Sequence, residues 1–81
     1  MVNVEYTDKF KKEFKKADRS VKTKAVLQIK RIVKDPKTGH PLRYNLTGER
    51  SVYVKPFRII YAYKDGTIYF LRFEHRSKVY G

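Results

Sequence analysis

The sequence has no cysteine and few acids. Without thiols it can form no disulfide framework, offers no thiolate nucleophile and cannot build a zinc cage of the cysteine type. Its 8 Asp and Glu are scattered, with no close pair in the second half, which argues against the carboxylate cluster of a two-metal site. Hydride-transfer, pyridoxal phosphate and dinucleotide sites lack their glycine-rich signatures, and no Walker A sequence is present. The longest apolar run, Ile59 to Tyr63, is far shorter than the roughly 20 residues needed to span a bilayer. The start Met1-Val2-Asn3-Val4-Glu5 has neither the basic residues nor the apolar stretch of a signal peptide. A cytoplasmic chain with no membrane partner is therefore expected.

What the sequence does have is positive charge. In 81 residues, 20 Lys and Arg give a net charge of +12 and a pI near 10.1, a field that attracts polyanions. With 41% hydrophobic and 35% charged residues the composition is globular, and the length fits one domain spanning residues 1–81.

Periodicity divides the chain into two halves. Val2, Val4 and Tyr6 alternate with Asn3 and Glu5 as in a half-buried strand. Thr7 offers a helix N-cap with Asp8 in the first turn, and Phe10, Phe14 and Ala17 follow at helical spacing. Asp18 or Ser20 can cap a second helix carrying Val21, Ala25, Ile29, Ile32 and Val33, which Pro36 stops. The two amphipathic helices make a hairpin whose apolar stripes need a covering surface. Lys37 to Gly48, with Gly39, Pro41 and Gly48, reads as a surface loop. Strands are predicted over Ser51–Val54, Phe57–Tyr63 and Thr67–Glu74, with Lys55-Pro56 and Asp65-Gly66 as turns. The expected fold is α+β, in the order β-α-α-β-β-β, with a mainly antiparallel four-stranded sheet and the helical hairpin packed on one face.

The basic residues divide into two groups. Lys11, Lys12, Lys15 and Lys16 lie on the outer face of a helix, where solvation accounts for them and contact with phosphates or an acidic segment is the alternative. Arg58 lies within a strand, sharing parity with Ile60 and Ala62, while Arg72 lies in the last strand and Arg76 just past it. Guanidiniums held on strands form a fork for phosphate, unless they pair with Glu49 or Glu74. Metal-free RNA cleavage, in which the 2′-OH attacks the neighbouring phosphate, needs a base, an acid and cations around the phosphorane. His40, His75, Arg58, Arg76, Lys55 and Tyr80 include every required type.

The segments Leu46-Thr47-Gly48, Ser51-Val52-Tyr53-Val54 and Phe57-Arg58-Ile59-Ile60-Tyr61, with the terminal His75-Arg76-Ser77-Lys78-Val79-Tyr80, resemble the RelE/ParE toxin superfamily. Pro41 to Gly48 is similar to the YoeB branch, and the resemblance covers nearly the whole chain. It implies a RelE-like fold and the toxin half of a type II toxin–antitoxin pair. RelE- and YoeB-like members cut mRNA in the ribosomal A site without metal or other cofactor, whereas ParE-like members poison DNA gyrase. By this resemblance Arg58 matches the phosphate-stabilising arginine. Arg76 matches the Arg or His thought to protonate the leaving 5′-oxygen, although a guanidinium is a poor acid and serves better as a stabilising charge. Tyr80 matches a C-terminal tyrosine that stacks on or orients a base.

Lys55 falls near the second-strand cations of relatives. His40 falls where the YoeB branch has a glutamate base, and an imidazole can do that work near neutral pH; the bland alternative is a loop histidine. His75 either takes part or merely flanks Arg76. Arg50, Arg72 and Lys78 are further candidates for RNA contact. The chain departs from the pattern at Tyr53, where relatives often carry a strand Arg or Lys, and at Lys55-Pro56, a shorter turn than usual. Arg50 can supply the missing cation.

The leading expectation is a ribosome-dependent mRNA endonuclease. The alternatives are a gyrase inhibitor and a degenerate member that only binds RNA or antitoxin. Both toxin readings imply a cognate antitoxin, an acidic amphipathic chain assembling with the toxin as a heterotetramer or larger, alongside the ribosome and mRNA.

Overall fold

Thr7 turns the extended N-terminal strand into a helix. Its hydroxyl oxygen accepts the Phe10 N–H at 3.0 Å, capping the helix, and the hydroxyl donates to the Leu71 carbonyl at 2.7 Å. One side chain thus starts a helix and ties it to the sheet. The computed structural model describes residues 2–42 and 48–76. Its elements are β1 (Asn3–Tyr6), α1 (Asp8–Lys16), α2 (Arg19–Lys34), β2 (His40–Pro41), β3 (Glu49–Val54), β4 (Phe57–Lys64) and β5 (Thr67–His75). Asp18 caps α2, accepting from the Val21 N–H at 3.0 Å and from the Ser20 hydroxyl at 2.8 Å. These acceptors hold the Asp18 carboxyl below its ordinary pKa, the Val21 contact contributing most.

The sheet runs β1-β5-β4-β3-β2. The β3–β4 and β4–β5 pairings are antiparallel as predicted, and β1 joins β5 in parallel. The sheet has five strands where the sequence pattern predicts four. Within the stretch that reads as a loop, His40 and Pro41 pair with Ser51 and Arg50. Two residues are too few to show the alternation by which a strand is recognised in sequence. Asp65 and Gly66, both at positive φ (51° and 77°), close the β4–β5 hairpin between the paired Lys64 and Thr67, as a two-residue Asp-Gly turn should.

Phe10, Ala17, Val21, Ala25 and Ile32 of the helical half pack against Val54, Ile59, Tyr61, Ile68, Phe70 and Phe73 of the sheet. Phe73 stacks on Phe57 at 4.7 Å and meets Phe10 edge-on at 5.8 Å between centroids. Each buried aromatic of this kind stabilises the fold by roughly 1.5–3 kcal/mol. A bulge interrupts β5: Ile60 pairs with Arg72 but Tyr61 with Phe70, leaving Leu71 as the extra residue. Ile68, Phe70 and Phe73 therefore share the core face, and Arg72 and Glu74 move to the opposite face beside Arg58. The bulged Leu71 supplies the carbonyl that receives the Thr7 hydroxyl.

Candidate nucleic-acid interface

The sheet face away from the helices carries Glu49, Ser51 and Tyr53 from β3, Arg58, Ile60 and Ala62 from β4, and Arg72 and Glu74 from β5, with His40 opposite Ser51. Ile60 is only 2% exposed and Ser51 7%, although neither belongs to the core cluster beneath the helices. Arg58 stands directly between Tyr53 and Glu74 across the sheet. Its guanidinium carbon lies 4.8 Å from the centroid of the Tyr53 ring, and Nη2 is 3.5 Å from the Tyr53 hydroxyl, a long contact that adds little to the cation–π attraction. Tyr53 thus holds the Arg58 cation against its ring.

Arg72 has a different setting. Its Nη2 donates to Glu49 Oε1 at 2.8 Å, and its Nε lies 2.8 Å from Glu74 Oε1. Its single positive charge is shared between two carboxylates, so Arg72 braces β3 to β5 across Ile60. Arg50 is likewise engaged: its Nη1 donates to the carbonyls of Gly39 at 2.8 Å and Lys37 at 3.1 Å.

That bond belongs to a fastening that the sequence did not reveal. The buried Tyr61 phenol donates to the Pro36 carbonyl at 2.7 Å and accepts the Gly39 N–H at 3.0 Å. Burial pushes the Tyr61 pKa up, offset in part by the Gly39 N–H and the Arg50 charge. Gly39 fits only because it lacks a side chain: a Cβ there would lie 2.8 Å from the Tyr61 hydroxyl and 2.9 Å from the Ser51 carbonyl oxygen. Tyr61 and Arg50 together hold residues 36–39 against the sheet and set His40 in register with Ser51. His40 is exposed, two strands from β4 and one row from Arg58, roughly 12 Å away between Cα positions by standard strand spacings. No sequence signal links Tyr61 to Gly39, 22 positions apart.

The remaining candidates gather at the β3–β4 turn or lie elsewhere. Lys55 is exposed in that turn, and the exposed Arg76, first residue after β5, donates its N–H to the Pro56 carbonyl at 2.7 Å. Arg58, Lys55 and Arg76 therefore share one end of the sheet. His75 does not join them on the Arg58 face: it pairs with Phe57, and its ring meets the Phe57 ring edge-on at 5.3 Å. Tyr80 and Lys78 lie outside the described residues.

Beside this face β2 pairs only with Arg50 and Ser51, so among the described residues no strand covers the outer edge of β3 past Ser51. A groove follows that edge below α2. One part, about 270 Å³, is lined by Gln28, Arg31, Thr38, His40 and Tyr53; the next, about 290 Å³, by Lys24, Gln28, Tyr53 and Lys55. A third groove, apolar and about 400 Å³, runs between α1 and α2 over Tyr6, Phe10, Phe14, Val26 and Ile29, rimmed by Lys11 and Lys30. No helix among the described residues is long and apolar enough to cross a membrane.

The same fold occurs in solved toxins. YafQ from E. coli strain BL21(DE3) is similar with a TM-score of 0.81 over 100% of both chains at 23% identity. The isolated E. coli RelE toxin gives 0.83 over 99% of this chain and 92% of that one at 16% identity. The RelBE2 toxin–antitoxin complex of Mycobacterium tuberculosis gives 0.77 over 93% and 98% at 26% identity. A comparison with curated protein sequences finds no match. A family model described as the ParE toxin of the type II toxin–antitoxin system, parDE, matches residues 4–80. The chain belongs to the ParE toxin family of type II toxin–antitoxin systems.

Proposed function

We propose that this toxin is a cytoplasmic endoribonuclease that cleaves mRNA in the ribosomal A site by metal-independent attack of a 2′-OH on the adjacent phosphate. The observation that carries the reading is Arg58, held over the Tyr53 ring on the sheet face opposite the helices and sharing that end of the sheet with Lys55 and Arg76. In the reaction His40 accepts the 2′-OH proton as the oxygen attacks phosphorus. Arg58 meets the charge that develops on the non-bridging oxygens. The P–O5′ bond then breaks, leaving a 2′,3′-cyclic phosphate and a 5′-hydroxyl whose proton comes from the C-terminal segment, where Tyr80 is the candidate acid and Arg76 a stabilising charge. Arg72, paired with Glu49 and Glu74, serves this reading as a brace for the sheet.

Primer extension on mRNA with and without programmed ribosomes, in EDTA, tests the proposal. Cuts confined to A-site codons and dependent on ribosomes are expected, and Arg58→Ala should slow them about 100-fold or more while the fold persists. Uncut mRNA in both tubes would refute it. The second reading, gyrase inhibition, is favoured by the ParE description of the matching family model and predicts loss of supercoiling activity instead.

A cognate antitoxin is the expected partner, as in the DinJ–YafQ complex of E. coli and the YoeB–YefM complex of Staphylococcus aureus. The groove between α1 and α2, apolar at its floor and lysine-rimmed, suits an acidic amphipathic segment. Its affinity should fall steeply with salt; a salt-indifferent complex would refute a charge-dominated interface.

A further inference from the structure

The groove along the β3 edge past Ser51, unpaired among the described residues, adjoins the proposed phosphate-binding arginine. Tyr53 and Gln28 line both of its parts. Tyr53 is 44% exposed, a large ring kept at the surface with Arg58 4.8 Å from its centroid. Around it stand Arg31 and His40 on one side and Lys24 and Lys55 on the other, with no carboxylate among the described lining residues. An aromatic ring with a guanidinium over one face, within a cationic groove, is an arrangement with which proteins hold single-stranded nucleic acid, the base stacking on the other face. The Gln28 amide adds a donor and an acceptor, the pairing that distinguishes one base edge from another.

We propose that this groove is a nucleobase subsite, in which the base adjoining the phosphate at Arg58 stacks on Tyr53 and presents its edge to Gln28. The proposal rests on the RNA-cleaving reading of the same face and adds to it the element that discriminates between bases. An extended peptide strand added to the β3 edge is the competing occupant; the aromatic ring and the amide favour a base, because strand addition needs only main-chain partners.

The test uses the full chain and short 2′-O-methyl oligoribonucleotides, which cannot be cleaved, carrying 2-aminopurine at one position. Stacking on Tyr53 should quench the fluorescence on binding at low salt. Tyr53→Leu should weaken binding about 5- to 100-fold and abolish the quench, while Tyr53→Phe keeps both. Gln28→Ala should flatten the ranking of oligonucleotides that differ only at the neighbouring base. Binding without quenching, or equal affinity for the wild type and Tyr53→Leu, would overturn the subsite. So would failure of the oligonucleotides to bind at all; ribosome-dependent cleavage by the same preparation would then leave the endonuclease reading standing, and its absence would remove both.

Discussion

Removing one oxygen atom should test the fastening beneath His40. In Tyr61→Phe the ring keeps its place in the core, but the Gly39 N–H and the Pro36 carbonyl lose their partner. Gly39 is buried, so its N–H cannot turn to water, and an orphaned buried donor costs about 1–3 kcal/mol. Pro36 is half-buried, so water can replace part of its loss. Together the two give an expected loss of about 2–3 kcal/mol, a large share of the stability of a domain this small. At about 4–8 °C per kcal/mol for such a chain, the melting temperature should fall by about 10–20 °C.

Urea titration followed by far-ultraviolet circular dichroism would measure this, with an unchanged slope showing that only the midpoint has moved. The alkaline limb supplies a second signature. Burial raises the Tyr61 pKa, so stability is intact below the ordinary phenol value and is lost as pH rises from there through the raised value, as the unfolded chain ionises first. Tyr61→Phe should flatten that limb. A loss below about 0.5 kcal/mol, with the limb unaltered, would refute the claim that this hydroxyl secures residues 36–39.

Gly39→Ala should be at least as damaging, because its Cβ would lie 2.8 Å from the Tyr61 hydroxyl and 2.9 Å from backbone; cleavage should fall with stability, and a wild-type melting curve would contradict the packing. Thr7→Val removes the α1 cap and the bond to the Leu71 bulge at nearly constant volume, with an expected loss of about 1–2 kcal/mol by urea titration; no loss would mean that another group caps α1. Arg72→Leu takes the shared cation from Glu49 and Glu74 and should lower the unfolding free energy by about 1–2 kcal/mol, whereas Arg58→Ala, which loses chiefly its contact with the Tyr53 ring, should lower it by about 0.5–1 kcal/mol. A reversal of that pattern would exchange the roles assigned to the two arginines.

The elements were legible where local chemistry decides them. Thr7 and Asp18 announce their helices by type and position, and Asp65-Gly66 its turn. The parity of Arg58 with Ile60 and Ala62 is what β4 displays. Long-range pairing left no such mark. Nothing near Asn3 says that β1 joins β5 in parallel, and the two residues of β2 are too short for a pattern. The bulge at Leu71 breaks the simple alternation of β5, so counting by twos from Ile68 and Phe70 would place Arg72 in the core. Arg50 and Arg72 read in sequence as cations for RNA; their engagement with carbonyls and carboxylates depends on neighbours that only the sheet brings near. Whether an arginine is solvated or paired is decided by the fold.

The pairing of β1 with β5 also orders events in time. Thr7 and its partner Leu71 stand 64 positions apart, and Phe10 rests on Phe70 and Phe73. A nascent chain emerging from the ribosome therefore makes α1 long before it makes the surface that α1 covers. Local hairpins can form as they appear, but closure of the first strand onto the last must wait, and such non-local contacts are slow to form. The brace through Arg72 and the partner position of Arg58 at Glu74 both lie on that last strand. The face that carries the charge is completed in the same step as the core, so a partly synthesised toxin is not a weaker toxin but an unassembled one.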